Sequence, residues 1–349
     1  MTSKYVAFIT GLNGQDGSYL AELLLEKNYH VYGIVRRAST INTNRLDSIY
    51  HHSRFKFFYG DMTDSTALQN HLMEIIQTHA DLERLEIYNL AAQSHVKVSF
   101  ELPEYTCQVN SIGTLKLLET LCRLPIPIQK IRYYQASTSE MYGMVQSHEP
   151  MNENTPFNPV SPYAISKHMA YQMVKMYRNA YGLFACNGIL FNHESGRRGE
   201  TFVTRKVIIG VQNILQGKQD AITLGNLDAI RDWGHAKDYV HSMWLMLQAN
   251  KPNDYVIGTG ETHTVREFVE KVFMYNDMKI SWEGEGLEEI GYDQNRIVRV
   301  RIHPRYFRPL EVAYLKADCS KAKVLLGWQP TYTFDELIKD MIQSEKTVT

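Results

Sequence analysis

Cysteine is scarce in this 349-residue chain. Cys107, Cys122, Cys186 and Cys319 are too scattered for a disulfide framework and show no metal-ligand spacing, so no metal site is expected. Long apolar runs are missing as well: no stretch approaches the roughly 20 uncharged apolar residues that cross a bilayer, which excludes a membrane span of that kind. Nor is there an excess of either charge. Lys and Arg total 37 and Asp and Glu 38, a formal net charge of -1, so no general electrostatic pull toward nucleic acid or anionic lipid is expected. Phosphate binding must then rest on local arginines and helix N-termini, and the expected partner is a small molecule. Residues 1–4 run straight into a strand-like segment and leave no room for a secretory leader; with the scattered cysteines, this gives the expectation of a reducing cytoplasm. No internal repeat or low-complexity tract is present.

What is there suits a large core, since 44% of residues are hydrophobic and 21% charged. Short β-branched or aromatic runs at residues 5–10, 31–35, 55–59, 86–89, 131–136 and 184–191 read as strands. Amphipathic stretches fall between them. One spans residues 104–122, with Val109, Ile112, Leu115, Leu118 and Leu121 as its apolar stripe and Pro125 and Pro127 closing it. Such alternation predicts an α/β fold, a doubly wound parallel sheet covered on both faces, with ligands at the carboxyl ends of the strands. After Phe191 the pattern loosens into short elements and long connections such as residues 284–294, which reads as a smaller α/β substrate domain. Residues 255–257 resemble one more buried strand. The expected division is residues 1–190 with about 227–258 in a dinucleotide-binding domain, and about 191–226 with 259–349 in the second.

Gly11, Gly14 and Gly17 form a Gly-x-x-Gly-x-x-Gly loop, with Gln15 and Asp16 inside it, after a strand and before a helix expected from about Ser18. Glycine there permits a tight turn and close backbone approach to a pyrophosphate at the helix N-terminus. The second strand ends in Arg36-Arg37. A carboxylate at that point would bind the ribose 2′-hydroxyl of NAD, whereas arginine accommodates the phosphate of NADP; Ser39 and Thr40 could add contacts. Paired arginines are also often a solvated strand edge, and both readings stay open. Asp61 with Met62 is placed near the adenine. Leu90, Ala91, Ala92 and Gln93 follow the fourth strand and would pass beside the nicotinamide ribose.

Tyr163 and Lys167 stand one helical turn apart. A tyrosine hydroxyl with a pKa of about 10 is a poor base at neutral pH, and a lysine four residues on can stabilise its phenolate. Thr138 and Glu140, two apart at a strand end, would share a face if extended geometry persists. Glu140 then adds an acid/base group that simple alcohol oxidation does not require. Each motif has a plainer reading: Ser137 with Glu140 is also a capping box, and Tyr-x-x-x-Lys is a common surface pair. Their conjunction with the glycine loop favours a reaction site.

Several long motifs carry a resemblance: Ala136-Ser-Thr-Ser-Glu-Met-Tyr-Gly143, Ser161-Pro-Tyr-Ala-Ile-Ser-Lys167, Gly188-Ile-Leu-Phe-Asn-His-Glu-Ser195 with Arg197-Arg-Gly199, Phe202-Val-Thr-Arg-Lys206, Leu224-Gly-Asn-Leu-Asp228, Arg231-Asp-Trp-Gly-His-Ala-Lys-Asp-Tyr239 and Arg308-Pro-Leu-Glu311. Through them nearly the whole chain resembles the extended short-chain dehydrogenases/reductases, and among these the GDP-mannose 4,6-dehydratase family. The resemblance implies a Rossmann-type first domain holding NADP through a redox-neutral cycle. Tyr163, Lys167 and Thr138 would act in C4 oxidation of GDP-mannose, and Glu140 would take the C5 proton as water leaves C6, giving GDP-4-keto-6-deoxymannose for deoxyhexose biosynthesis toward GDP-fucose or GDP-rhamnose. It further implies cofactor contacts from Arg36, Arg37, Asp61, Tyr105, Lys167, His193 and Arg198. Substrate contacts would come from Asn192, Lys206, Arg231, Arg308 and Glu311. His193 has the alternative of a structural histidine, and Arg231 and Arg308 of interdomain ion pairs. A homodimer or homotetramer is implied by the loop after Arg36. Two departures from the family pattern, Gly196 for proline and Leu12-Asn13 in the glycine loop, predict a looser loop and weaker cofactor hold. Rival readings are a dehydratase, decarboxylase or epimerase of another nucleotide sugar and a noncatalytic NADP-binding regulator.

Overall fold

A parallel sheet organises the first two-thirds of the chain. In the computed structural model, which describes residues 4–144 and 149–348, its strands are β1 (Tyr5–Thr10), β2 (His30–Val35), β3 (Phe55–Tyr59), β4 (Arg84–Asn89), β5 (Ile131–Thr138), β6 (Phe184–Leu190) and β7 (Asp254–Ile257). Their order is β7-β6-β5-β4-β1-β2-β3, with every pairing parallel. The winding direction reverses between β1 and β4, and a crevice opens at the carboxyl ends there. The continuous apolar run from Val6 to Ile9 is buried throughout, as a central strand covered on both faces requires. Helices Gln15–Glu26 and Ala236–Gln248 cover one face with Leu20, Leu24, Val240 and Met243. Helices Ser65–Thr78, Gly113–Cys122 and Pro162–Tyr181 cover the other with Leu68, Leu72, Leu117, Leu118 and Val174. The expected doubly wound α/β fold is therefore present.

A separate core forms around a four-stranded sheet of Ser281–Glu283, Ile290–Tyr292, Val298–Ile302 and Ile222–Leu224. Val207, Val211, Phe268, Val272, Leu337 and Met341 fill it. Two short pairs connect the cores: Asn192–Glu194 beside Trp233–His235, and Ile230–Arg231 beside His263–Thr264. Asp232 ties this junction together. Its fully buried carboxylate accepts from the Thr259 amide (2.8 Å) and hydroxyl (2.7 Å), the Gly260 amide (2.8 Å) and the Ala317 amide (3.2 Å).

The elements depart from sequence expectation at three places. The first helix begins at Gln15, three residues early, because Gly14 serves as its N-cap. The stretch expected as one helix over residues 104–122 is three pieces: Pro103–Cys107, a widened turn at Gln108–Ile112 with π geometry, and Gly113–Cys122. The widened turn lets the Asn110 amide donate to Gln93 O (3.1 Å) and Ser166 Oγ (3.0 Å). β5 runs two residues farther than expected, to Thr138.

Glycine is required at two points of the first turn. Gly11 has φ +70°, and a Cβ there would come within 2.8 Å of the Ala91 amide nitrogen. At Gly17 a Cβ would meet Gly11 O at 2.3 Å. Gly17→Ala is predicted to lower unfolding free energy by about 2 kcal/mol, the usual cost of overpacking. A denaturant melt superimposable on the wild type would contradict this packing.

Candidate active site

One cavity of about 610 Å³ opens at the carboxyl ends of β1, β4, β5 and β6 and continues under the second core. Thr10, the last residue of β1, builds its floor. The hydroxyl donates to Asn89 Oδ1 (2.7 Å) and accepts from the amides of Leu90 and Ala91 (3.0 Å each), which fixes the turn after β4 against the glycine loop. Gly14 caps the following helix without any side-chain hydrogen bond, so the first-turn amides retain donor capacity toward the cavity. Asp16 in that turn would oppose an anion. Burial alone would raise its carboxyl, but His193, by charge and by a 2.7 Å hydrogen bond, holds it below the usual range. Burial likewise depresses His193, and Asp16 more than restores it, so His193 titrates above its ordinary value. The pair leaves a cradle with its carboxylate neutralised, which fits a dinucleotide pyrophosphate.

Tyr163, Lys167 and Glu140 all lie nine-tenths or more buried. Ser161 caps the helix that carries the first two, accepting from the Ala164 amide at 3.1 Å. Burial pushes the Tyr163 phenol up to about 12, against a hydrogen bond from Thr138 that lowers it, while the charge of Glu140 raises it further. Lys167 lies 5.9 Å from the Tyr163 ring centre and donates to Ala136 O at 2.8 Å. Burial pulls the ammonium down to about 8, with Asp16 opposing. The geometry at 138–140 resolves the two sequence readings in an unexpected way. The strand ends at Thr138, whose hydroxyl, not that of Ser137, caps a short turn over Ser139–Met141 and accepts from the Glu140 amide at 3.2 Å. Capping and presentation of Glu140 to the cavity are thus one arrangement.

Across the cavity, Arg308 Nη1 lies 3.3 Å from Glu140 Oε1 and 3.6 Å from Glu311 Oε1. Arg231 Nη2 holds Glu311 at 2.7 Å. Burial lowers Arg231 from the ordinary arginine value, and the charges of Glu140 and Glu311 oppose that. Lys206 donates to Thr223 O at 2.5 Å with its nitrogen 3.3 Å from the Tyr306 ring centre. Arg198 stands 3.0 Å from Glu194 and stacks on Phe202. Nine cationic side chains line the cavity against five carboxylates, although the chain as a whole is nearly neutral. A ligand bearing several negative charges is what this imbalance favours.

Most residues named from sequence face this cavity: Gly11, Gly14, Gln15, Asp16, Gly17, Arg36, Asp61, Met62, Leu90, Ala91, Ala92, Tyr105, Asn192, His193 and Arg198, the four candidate reacting residues, and Lys206, Arg231, Arg308 and Glu311. Four do not. Arg37 donates to Ala38 O (2.6 Å) and lies over the Tyr59 ring at the sheet edge, and Ser39 and Thr40 are exposed. Gln93 is consumed by the turn it sits in, donating to Thr106 Oγ1 (3.1 Å) and accepting from the His95 amide (2.6 Å). His193 faces the cavity with both ring nitrogens engaged, by Asp16 and by Phe191 O at 2.9 Å. Around the two departures the loop makes specific contacts. A Cβ at Gly196 would meet Ser344 Cβ at 2.3 Å, Arg197 binds Ser18 Oγ (3.1 Å) and Glu22 Oε1 (2.8 Å), and Asn13 donates to Asn42 O (2.9 Å).

Arg45, His95 and Lys97 line the cavity without having been expected. Arg45 lies in a single 3₁₀ turn, Asn44–Leu46, too short to carry a periodic signal. His95 carried one: a polar cap before an apolar run, and its Nδ1 accepts from the Val98 amide. Burial, then Arg308, keeps the His95 ring below its ordinary value. Among the described residues no group of three or more His, Cys, Asp or Glu could hold a metal ion, and no helix is long and apolar enough to cross a membrane.

The sequence profile of the family described as GDP-mannose 4,6 dehydratase matches residues 8–341. A Drosophila melanogaster protein named GDP-mannose 4,6 dehydratase is 54% identical over 347 residues, covering 97% of this chain and 86% of its own length. The Homo sapiens protein of that name is 52% identical over 351 residues, with 98% and 91% covered. Among solved structures, dTDP-glucose 4,6-dehydratase from Bacillus anthracis in complex with NAD has a TM-score of 0.78 at 22% identity, covering 98% of this chain and 97% of that one. This last is a likeness of fold.

The buried ammonium has a measurable signature. Between pH 8 and 10.5 an unfolded chain keeps a proton on Lys167 that the folded protein has released, so this group adds stability as pH rises through that window. The stability difference between wild type and Lys167→Met is predicted to move in favour of wild type by on the order of 3 kcal/mol across it. Denaturant unfolding of both proteins at several pH values measures this; a constant difference would contradict burial of the charge.

Proposed function

The chain belongs to the GDP-mannose 4,6 dehydratase family, and on that premise we propose that it converts GDP-mannose to GDP-4-keto-6-deoxymannose and water. The observation that carries this reading is the shared cavity of Glu140 and Tyr163, close enough for the carboxylate charge to raise the phenol. An epimerase that inverts a hydroxyl removes no C–H proton and needs no such base.

A nicotinamide dinucleotide, when bound, takes the hydride from C4 and gives it back at C6. Gly11, Gly14 and Gly17 would receive its pyrophosphate, Leu90 to Ala92 its ribose, and Arg36 its adenosine end. We read that end as carrying the 2′-phosphate of NADP. In support, Arg36 and no carboxylate directly follows β2, and Arg36 Nη1 stands 2.5 Å from Tyr105 Oη at the cavity rim. Tyr163 accepts the proton of the sugar 4-hydroxyl. Burial makes that tyrosine reluctant to ionise, and the cation of Lys167 is placed to favour it. Thr138 orients the phenol. Once C4 is a ketone the C5 proton is acidic; Glu140 removes it and passes it to the C6 hydroxyl, which leaves as water. Tyr163 then returns its proton to C5, so protons and electrons balance within one turnover.

Lys206, Arg231 and Arg308 suit the diphosphate, with Asn192 and Glu311 beside the sugar. In this reading the sheet of β1 to β7 with its helices, residues 1–190 and about 227–258, serves the cofactor, and the remainder serves the nucleotide sugar. A homodimer or homotetramer in the cytoplasm is the setting that goes with it, and the four described cysteines are free thiols.

Purified protein given GDP-mannose without added cofactor is predicted to yield the 4-keto-6-deoxy product; no turnover would overturn the reading. Glu140→Gln should lower dehydration by about 10²–10⁴-fold while still accumulating reduced nicotinamide after C4 oxidation, followed by its absorbance. Wild-type rates would remove Glu140 from its role. Dinucleotide released on denaturing the protein should be NADP, and Arg36→Asp should shift preference toward NAD, as competition binding would register.

A further inference from the structure

Arg308 is loosely held between two carboxylates of the cavity. A single nitrogen, Nη1, is shared between Glu140 at 3.3 Å and Glu311 at 3.6 Å, and neither separation is a tight charge-assisted bond. No other guanidinium hydrogen bond of Arg308 occurs among the described residues. The two carboxylates differ in what they would lose without it. Glu311 keeps Arg231 at 2.7 Å, whereas Glu140, 8% exposed, has among the described residues no second cation within ion-pair distance and feels Arg231 only from farther off.

Arg308 also sits on a segment that lines the cavity with Tyr306 and Glu311. Lys97 Nζ contacts Arg305 O from the side of the parallel sheet, and the Glu140 pair is a second tie between the same segment and the same side. With 28% of its side chain exposed against 11% for Glu140, Arg308 is the more accessible of the pair to a polyanion.

We propose that Arg308 is a positioning residue that changes partners: it masks Glu140 until the diphosphate of a nucleotide sugar takes the guanidinium, and the base is released only when substrate is in place. The inference rests on the reading of this cavity as a site for GDP-mannose. Once the guanidinium has moved to the diphosphate, Glu140 Oε1 is no longer engaged by Arg308 and is open to the substrate. Before that, the ion pair offsets the cost of holding an unpaired charge in the cavity. Glu311 stays with Arg231 throughout, so the exchange strands no other charge.

The exchange implies competition between Glu140 and the diphosphate for one guanidinium, measurable without any turnover. With holoenzyme and GDP as probe, calorimetric titration of four proteins decides it: wild type, Glu140→Gln, Arg308→Gln and the double variant. Removing Glu140 frees Arg308, so Glu140→Gln is predicted to bind GDP roughly fivefold more tightly than wild type, the worth of a partly exposed ion pair. In the Arg308→Gln background the same substitution should leave affinity unchanged. Equal tightening in both backgrounds would mean simple repulsion between Glu140 and phosphate, and would overturn the exchange. So would the absence of tightening in either. Failure of all four folded proteins to bind GDP would instead overturn the reading of the cavity, and the inference with it.

Discussion

Burial of three ionisable groups in one cavity is the constraint on which the rest of this structure depends. A phenol, an ammonium and a carboxylate, each at least nine-tenths buried, face the same space. Each charge withdrawn from water needs a partner, and the surroundings of the cavity read as the supply of those partners. Ala136 O takes Lys167, Thr138 bonds Tyr163, and Arg308 faces Glu140. The same burial makes the groups sensitive to any charge brought near them, since the low local dielectric strengthens every interaction. A site built this way responds strongly to an arriving dinucleotide or diphosphate.

The parallel sheet and the second core contribute unequally. Strand ends β1, β4, β5 and β6 hold the residues that must be placed rigidly: Thr10, the glycine turn, Thr138 with Glu140, and the helix bearing Tyr163 and Lys167. The second core and its connections bring counter-charges. Arg308 and Glu311 lie on an irregular segment, and Lys206 on a helix that packs elsewhere. The Asp232 junction explains how both parts keep their relation, because one carboxylate collects four donors from two separate stretches of chain.

Strand–helix alternation made the sheet legible in the sequence, and the glycine spacing located the turn beneath the cavity. The candidate reacting residues were legible through their conjunction with the glycine loop, since each motif alone is common. What periodicity could not carry were side chains diverted to local backbone. Gln93 looks like a ligand residue but closes its own turn, and Arg37 leans on Tyr59 while its neighbour Arg36 reaches the rim. The break at Gln108–Ile112 arises from Asn110 bonding across to another loop, a long-range demand absent from any helical pattern. The surroundings of Gly196 were not legible either: a Cβ there would meet Ser344, and its neighbour Arg197 reaches Glu22. Arg45 had no sequence signal at all.

The central claim is that hydride leaves and returns to one sugar within a single visit, between a phenol and a carboxylate on the same cavity. The direct test is GDP-mannose labelled with deuterium at C4, incubated with purified protein in ordinary water without added cofactor, and the product examined by NMR. The account predicts deuterium at C6 and a solvent proton or the recycled hydroxyl proton at C5. Deuterium retained at C4, or lost from the sugar altogether, would contradict it.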